Sequence, residues 1–404
     1  MGSNSPPAPP LGGEALQSEL ALDGVFDDVS YDQWRAEVEA SLKGAPFEKK
    51  LVSATYDDFS IQPLYGSHDA VAEEITGVPG SLPFVRGAAP GERNQGFELR
   101  QAYRGPNLAH AREEIAFDVE GGVASLELDL AACDSDGEEL LAGLPLFSLD
   151  DLEQALGAAP LDRVSVALHA GDAFLPAAAA LAALWKRRGI ADEAACGEFG
   201  ADPLGTLARR GNLPFEISRA LDLTAVLAKA CVARYPGVRA VTVDSTPYHD
   251  GGASAAQDIA FAAATGVEYV RALVERGVDV EQAFAQLVFR MGIGCHYFLA
   301  IAKLRAARRV WARIAEASGV TSSAARMRQH VGIGTRSLTQ RAPHLNLLRN
   351  TTSLFAAAVG GADAATSEPF DAACGQANEL SRRVARNTAW VLLEEGSLGR
   401  VADP

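Results

Sequence analysis

Three proton-handling side chains stand in a row at one point of the chain. Tyr248, His249 and Asp250 follow the β-branched run Val241-Thr242-Val243, and Gly251 and Gly252 come directly after them. A phenol, an imidazole and a carboxylate at a strand end have the functional groups for acid–base catalysis. Tyr248 and His249 are therefore the candidate catalytic residues. The same stretch approaches an Asp-x-His-x-x-Gly pattern. His249 and Gly252 are in place, but Pro247 occupies the position of the Asp. The other histidines, His68, His110, His169, His296, His330 and His344, are each isolated in sequence. Metal ligation needs clustered donors, so structural roles are expected for them and no metal site is predicted. Glu394-Glu395 reads as solvated charge.

A second concentration of charge lies in "CHYFLAIAKLRAARRVWARI". Tyr297, Ile301, Leu304, Ala307, Trp311 and Ile314 recur at steps of three and four, which predicts one buried helical stripe. Lys303, Arg305, Arg308, Arg309 and Arg313 crowd the rest of the helix. This basic cluster is either a solvated face with surface ion pairs, or an anion site or subunit contact.

The elements that must position these groups alternate. Strands are predicted over 96–101, 123–130, 163–168, 239–243, 286–289 and 331–334. Helices are predicted over 107–117, 149–155, 176–188, 255–275, 294–317, 345–359 and 377–394, with Pro176 suited to a first helical position. Strands alternating with helices over about 300 residues predict an α/β fold with a parallel sheet. A closed (β/α)8 barrel fits best, with an open doubly wound sheet as the alternative. Neither GxGxxG nor GxxxxGK[ST] is present. Ahead of the barrel, residues 1–24 are rich in Gly, Ser and Pro and are expected to be a disordered arm. Residues 25–94 form an extended N-terminal segment that includes a short amphipathic helix over 31–43, with Trp34, Val38 and Leu42 on one face. The barrel itself is assigned to 95–404.

Bulk composition narrows the partners. Of 404 residues, 48% are hydrophobic and 22% charged, as in a globular protein, and the formal charge is -16. That charge argues against nucleic acid and against an anionic membrane surface. The five cysteines, Cys133, Cys196, Cys231, Cys295 and Cys374, are scattered and form no CxxC pair. They fit a reducing, cytoplasmic setting better than a disulfide framework or a zinc ribbon. Neither a signal peptide nor an apolar run long enough to span a bilayer is read.

Several long segments, in order, resemble the methylmalonyl-CoA mutase family. "FLAIAKLRAARRVWARI" is similar to its Ile-Ala-Lys-x-Arg-Ala-x-Arg-x-x-Trp helix, and "GASAAQDIAFAAATGVEYVRA" to its Gly-Ala-x-x-x-Gln-Glu-Leu-Ala helix. "SLKGAPFEKKLVSATYDDFSIQPLYG", "LPFVRG", "LRQAY", "HLNLLRNTTSLFAAAVGGADAATSEPFD" and "SRRVARNTAWVLLEEGSLGRVADP" resemble further family segments, over about residues 30–404. The resemblance implies a (β/α)8 barrel that binds an acyl-CoA through its centre, a separate C-terminal domain carrying adenosylcobalamin, and a radical rearrangement of methylmalonyl-CoA to succinyl-CoA. It also implies a heterodimer in many bacteria, with a catalytic large subunit and a smaller subunit of the same fold that lacks the active-site set.

The departures from the family pattern point to the small (beta) subunit. Where a catalytic chain carries a Tyr-x-Thr-Met-Tyr arm, this one has Ala88-Ala89-Pro90-Gly91-Glu92-Arg93. Gly-Thr-Ile-Gln-Asn-Asp becomes Gly197-Glu198-Phe199-Gly200-Ala201-Asp202, and Arg-Leu-Ser becomes Gln286-Leu287-Val288, losing a charged fork. Anchored on Gly252-Ala253 and Gln257, the family's catalytic Tyr and His fall on Thr246 and Pro247. Tyr248 and His249 are thus two residues late, a displacement of several Å. The expected catalytic set in this chain is therefore empty, with Tyr248 and His249 as residual candidates and a packed loop over the barrel mouth as their structural role. Asn346 and Arg349 are expected to anchor a helix and loop by hydrogen bonds. No histidine has the cobalamin pattern, so the chain is expected to lack the C-terminal cobalamin-binding domain. Adenosylcobalamin is then held by the partner or by a separate domain. Ending at "GRVADP" leaves a natural short subunit and a truncation both open. The alternative function is a catalytically competent acyl-CoA mutase barrel working with a separate cobalamin-binding chain.

Overall fold

The computed structural model describes residues 28–87, 96–133, 139–140, 143–375 and 377–400. The expected arm over 1–24 and the Ala88 to Arg93 stretch lie outside them. The chain divides into two compact units, Met1–Ala70 and Val71–Pro404. Residues 71–87, read from sequence as part of the N-terminal segment, cluster with the second unit.

In the first unit a helix spans Tyr31–Ser41. Ser30 and Gln33 start it with a reciprocal capping box. Trp34, Val38 and Leu42 are half-buried on one face, and Trp34 meets the Phe47 ring at 6.2 Å. Ser53–Ala54 and Ser60–Ile61 pair as a short antiparallel ladder.

The second unit contains a closed barrel of eight parallel strands. They are β1 Glu98–Tyr103, β2 Ser125–Asp129, β3 Ser165–His169, β4 Cys196–Ala201, β5 Gly237–Asp244, β6 Leu287–Ile293, β7 Arg328–Ile333 and β8 Ala364–Thr366. The main helices after each strand are α1 Leu108–Glu120, α2 Leu149–Leu156, α3 Phe174–Arg187, α4 Ile217–Arg234, α5 Ala255–Glu275, α6 Tyr297–Ala317, α7 Leu345–Val359 and α8 Glu379–Trp390. Each strand pairs with its sequence neighbours, and β8 closes on β1 through Ala364↔Glu98 and Thr366↔Arg100. The expected (β/α)8 barrel is thus the observed fold, and the open sheet is excluded.

Three of the main barrel elements, β4, β8 and α4, are absent from the sequence reading. β4 was not among the predicted strands: its two glycines and a bulge between Glu198 and Ala201 hide the strand signal. β8 is three residues of Ala-Ala-Thr, too short and too small to register. α4 carries its buried set mostly on small residues, including Ala220, Thr224, Ala225, Ala228 and Cys231, which dilutes its periodicity. Pro176 does not open its helix. α3 starts at Phe174, and Pro176 sits in the first turn, where its missing N–H is still free of cost.

Aromatic side chains fill the shell between strands and helices. Trp311 of α6 contacts Phe284 at 5.0 Å and Phe289 at 4.7 Å, and Gly266 of α5 leaves the room it needs. Trp185 of α3 meets Phe199 of β4 and Tyr235. Among the described residues no helix is long and apolar enough to cross a membrane.

The basic helix α6 is not simply a solvated face. Lys303 and Arg308 are buried, whereas Arg309 and Arg313 are exposed. Lys303 bonds to Asp258 of α5 and, at 2.6 Å, to the Gly292 carbonyl. Arg308 donates to the Phe84 and Val85 carbonyls at 3.0 and 2.9 Å, to Gln329 at 2.5 Å and to the Gly360 carbonyl. Both cations are internal fasteners. Period alone could not reveal this, because long basic side chains can turn either way from a helix flank.

Candidate functional site

In a (β/α)8 barrel, side chains fill the axis and chemistry gathers at the C-terminal ends of the strands. Here both are built from charge. Deep on the axis, Arg100 of β1 reaches Glu198 of β4 at 2.6 Å and Ser125 of β2 at 2.8 Å. Ser165 of β3 bonds to Ser125 at 2.7 Å and also to Glu98. Burial would weaken the Arg100 charge, but Glu198 outweighs it and holds the guanidinium protonated. The reciprocal effect keeps the Glu198 carboxyl below its usual range despite burial.

One layer higher, Glu127 of β2 accepts from Arg290 of β6 at 2.5 Å. Strands β2 and β6 stand four apart in a ring of eight, so this pair spans the axis from opposite walls. His330 of β7 lies 3.3 Å from the second Glu127 oxygen and 2.7 Å from Thr366 of β8. Burial, followed by the Arg100 and Arg290 charges, pushes the His330 pKa well below the ordinary histidine value. Glu127 and His330 are essentially inaccessible, at 0% and 1% exposed. Guanidinium and carboxylate therefore close the axis.

The mouth above this plug holds a cavity of 390 Å³. Arg104 bonds to Asp129 at 2.6 Å and to Glu368 at 2.9 Å on its rim. His169 Nδ1 lies 3.0 Å from Asp129. Asp244 accepts from Arg209 at 2.5 Å and from Arg290 at 3.2 Å. Asp202 caps the short helix Pro203–Arg210 and accepts from Tyr269 at 2.6 Å. Burial and then the neighbouring Asp244 raise the Asp202 carboxyl to about 6. Glu127, Asp129 and His169 converge closely enough to share a metal ion, but Arg290 and Arg104 already neutralise the two carboxylates. At the opposite end of the strands a separate 560 Å³ cavity includes Arg239, Arg326 and Arg328 in its wall.

Tyr248 and His249 lie on a short helix, Thr246–Asp250, that follows β5 at the mouth. His249 is 5% exposed, and its ring lies over Gly292 of β6 and against Gly334 after β7. A Cβ on Gly292 would stand 2.7 Å from the ring, and one on Gly334 would collide with it. Burial, followed by the Lys303 and Arg336 charges, lowers the His249 pKa to about 3. Its Nδ1 is 3.7 Å from Asp258, whose carboxylate Lys303 also engages. Tyr248 is half-buried, its ring 4.9 Å from Phe261. Gly251 and Gly252 form the turn into α5, and Gln257 completes a capping box with Ser254 there.

The substituted motif positions also have physical roles. Gly200 has φ +69° in the β4 bulge, and a Cβ there would collide with the Leu168 carbonyl, so this backbone admits no Gln side chain. Gln286 lies just before β6, remote from the mouth, and accepts from the Ala240 amide at 3.1 Å. Asn346 holds Thr339 and the Phe370 carbonyl, and Arg349 donates to Asn346 at 3.0 Å, as expected of anchors. Sequence reasoning missed Glu127, Arg290, Asp129 and His169. Their only local signal is a charge inside an apolar strand run, which by itself does not identify a partner.

Comparison with known proteins agrees with this architecture. The family described as methylmalonyl-CoA mutase matches residues 54–404. The chain belongs to the methylmalonyl-CoA mutase family. It is 44% identical to a methylmalonyl-CoA mutase small subunit of Streptomyces virginiae, over 95% of this chain and 61% of that one. It is 34% identical to the small subunit of Propionibacterium freudenreichii subsp. shermanii, over 95% and 59%. A methylmalonyl-CoA mutase of Cereibacter sphaeroides matches at 30%, over 92% and 54%. The chain thus spans about three fifths of the length of the small subunits it matches.

Proposed function

We propose that the chain is the barrel portion of a methylmalonyl-CoA mutase small subunit. In this reading it pairs with a catalytic large subunit as a heterodimer, stabilises it in the cytoplasm, and performs no chemistry itself. The complex isomerises methylmalonyl-CoA to succinyl-CoA with adenosylcobalamin held by the large subunit. When bound, that cofactor supplies the radical. The histidines lining this barrel do not fit a cobalt ligand: His249 is wedged over Gly292, His330 is bonded to Thr366 beside Glu127, and His169 lies against Asp129.

The closed axis carries this reading. An acyl-CoA that passes through the barrel centre needs an open axis, and here Glu127–Arg290 and Arg100–Glu198 fill it. Opening it would strand buried charges, which is far more costly than leaving the network intact. The greater identity to proteins named small subunits supports the same conclusion.

Co-expression with a large subunit tests it. A 1:1 complex is expected, active with adenosylcobalamin, with turnover unchanged by Tyr248→Phe or His249→Gln here. Mutase activity from this chain and a free cobalamin domain, without a large subunit, would overturn it.

A further inference from the structure

The cavity at the N-terminal ends of the strands gathers cations without matching anions. Arg239 of β5, Arg326 just before β7 and Arg328 at the start of β7 all border its 560 Å³. β5 and β7 flank β6 in the ring, two strand spacings or about 10 Å apart, so their arginines reach one space from two sides. Arg326 is paired with Asp363 at 2.9 Å. Among the described residues Arg239 donates only to carbonyls, those of Pro236 and Val238, at 2.9 and 3.2 Å. Arg328, half-buried, makes no hydrogen bond or ion pair among them. Glu198 feels the Arg328 charge but is held at 2.6 Å by Arg100. Arg239 registers the crowding: burial, followed by the Arg328 and Arg326 charges, lowers its pKa to about 10. Two carboxylates on the same wall are engaged elsewhere. Asp279 caps the helix Val280–Ala285 through the Glu281 and Gln282 amides, and Glu281 accepts from the Ser322 hydroxyl. In a chain of formal charge -16, two arginines left without a carboxylate at one cavity make a local site for an anion.

We propose that this cavity binds a phosphate group, held by Arg239 and Arg328 with Arg326 beside them. Guanidinium forks match phosphate oxygens. A phosphate dianion neutralises both unpaired cations, whereas a single carboxylate neutralises one. The volume is within the range of small-ligand sites and has room for a diphosphate. Chemistry in this fold gathers at the other end of the strands, so the site is one of binding and not of catalysis. It is built from residues that the subunit reading does not use, and it stands independently of that reading.

Calorimetric titration of the purified chain with inorganic phosphate, diphosphate, ADP and acetate tests it. Diphosphate is expected to bind saturably at about millimolar concentration or below, and to weaken as sodium chloride rises from about 50 to about 300 mM. Arg239→Gln and Arg328→Gln should each weaken it about tenfold or more. Arg309→Gln, on the exposed face of α6, should leave it unchanged. Arg328→Gln breaks no hydrogen bond among the described residues and carries the test if Arg239→Gln does not fold. ADP binding more tightly than diphosphate supports a phosphate carried by a nucleotide, and ADP binding no more tightly supports a free phosphate. No saturable heat from phosphate, diphosphate or ADP overturns the proposal, as does unchanged affinity in both arginine variants or acetate binding as tightly as diphosphate. Failure to form the large-subunit complex, with diphosphate binding intact, overturns only the subunit reading.

Discussion

Outside its strands the barrel is held by apolar contact, with Trp311 on Phe284 and Phe289, and Trp185 on Phe199 and Tyr235. Inside them it is held by charge, with Arg100 on Glu198 and Arg290 on Glu127. The two regions share the same strands, since alternate residues of one strand face the helices and the axis. The shell gains from every methylene removed from water. The axis gains little net stability from its ion pairs, because desolvation offsets most of the attraction. What the axis achieves instead is filling, since matched charges from different walls occupy the space between the strands.

The largest effect that can break this contrast is in the shell. Trp311→Ala should lower unfolding free energy by about 3–5 kcal/mol, read by chemical denaturation, because the site cannot collapse around Gly266. On the axis, Glu198→Ala should cost about 3–5 kcal/mol by removing the short ion pair of a buried Arg100, which keeps only the Ser125 bond and a 3.9 Å contact with Glu98. The double variant Arg100→Met, Glu198→Leu should return to within about 1 kcal/mol of the parent or exceed it. If the double variant is as unstable as the single, the pair contributes net stability and the contrast fails.

Next comes acidity. The folded pKa of His249, about 3, lies below its unfolded value, so its contribution is present above the unfolded pKa and is lost as pH falls. Between about pH 6 and pH 4 the parent should lose about 1.4 kcal/mol per unit from this group, and the difference from His249→Gln should carry that slope. Asp202 has the opposite sign. Its folded pKa, about 6, is raised, so its contribution is present at low pH and is lost as pH rises from about 4 through 6. Asp202→Asn should remove that loss while an amide oxygen keeps the helix cap. The smallest effect is Tyr248→Phe, which keeps the ring against Phe261 and should change stability by less than about 0.5 kcal/mol.

Legibility followed the same division. α5 and α7 were read to their observed ends, because strong apolar periods and caps are local signals. β4 and β8 escaped, since a bulge with two glycines and a three-residue strand have no period to detect. The candidate Tyr248-His249 was visible as chemistry, but its burial depends on Gly292 and Gly334, each at least forty residues away in sequence. Lys303 and Arg308 were visible as charge, while their partners lie on α5, on the segment before β1 and after α7.

By itself the sequence determined the alternation of strands and helices, the barrel class, and the loss of several family motifs, all of which are local patterns or ordered strings of them. Only the tertiary structure decided that the axis is closed. Glu127 and Arg290 are separated by 163 positions and meet only because ring closure sets β2 opposite β6. A charge within a strand run is compatible with a pore, a catalytic site or a plug, and the choice rests on which side chain faces it across the barrel.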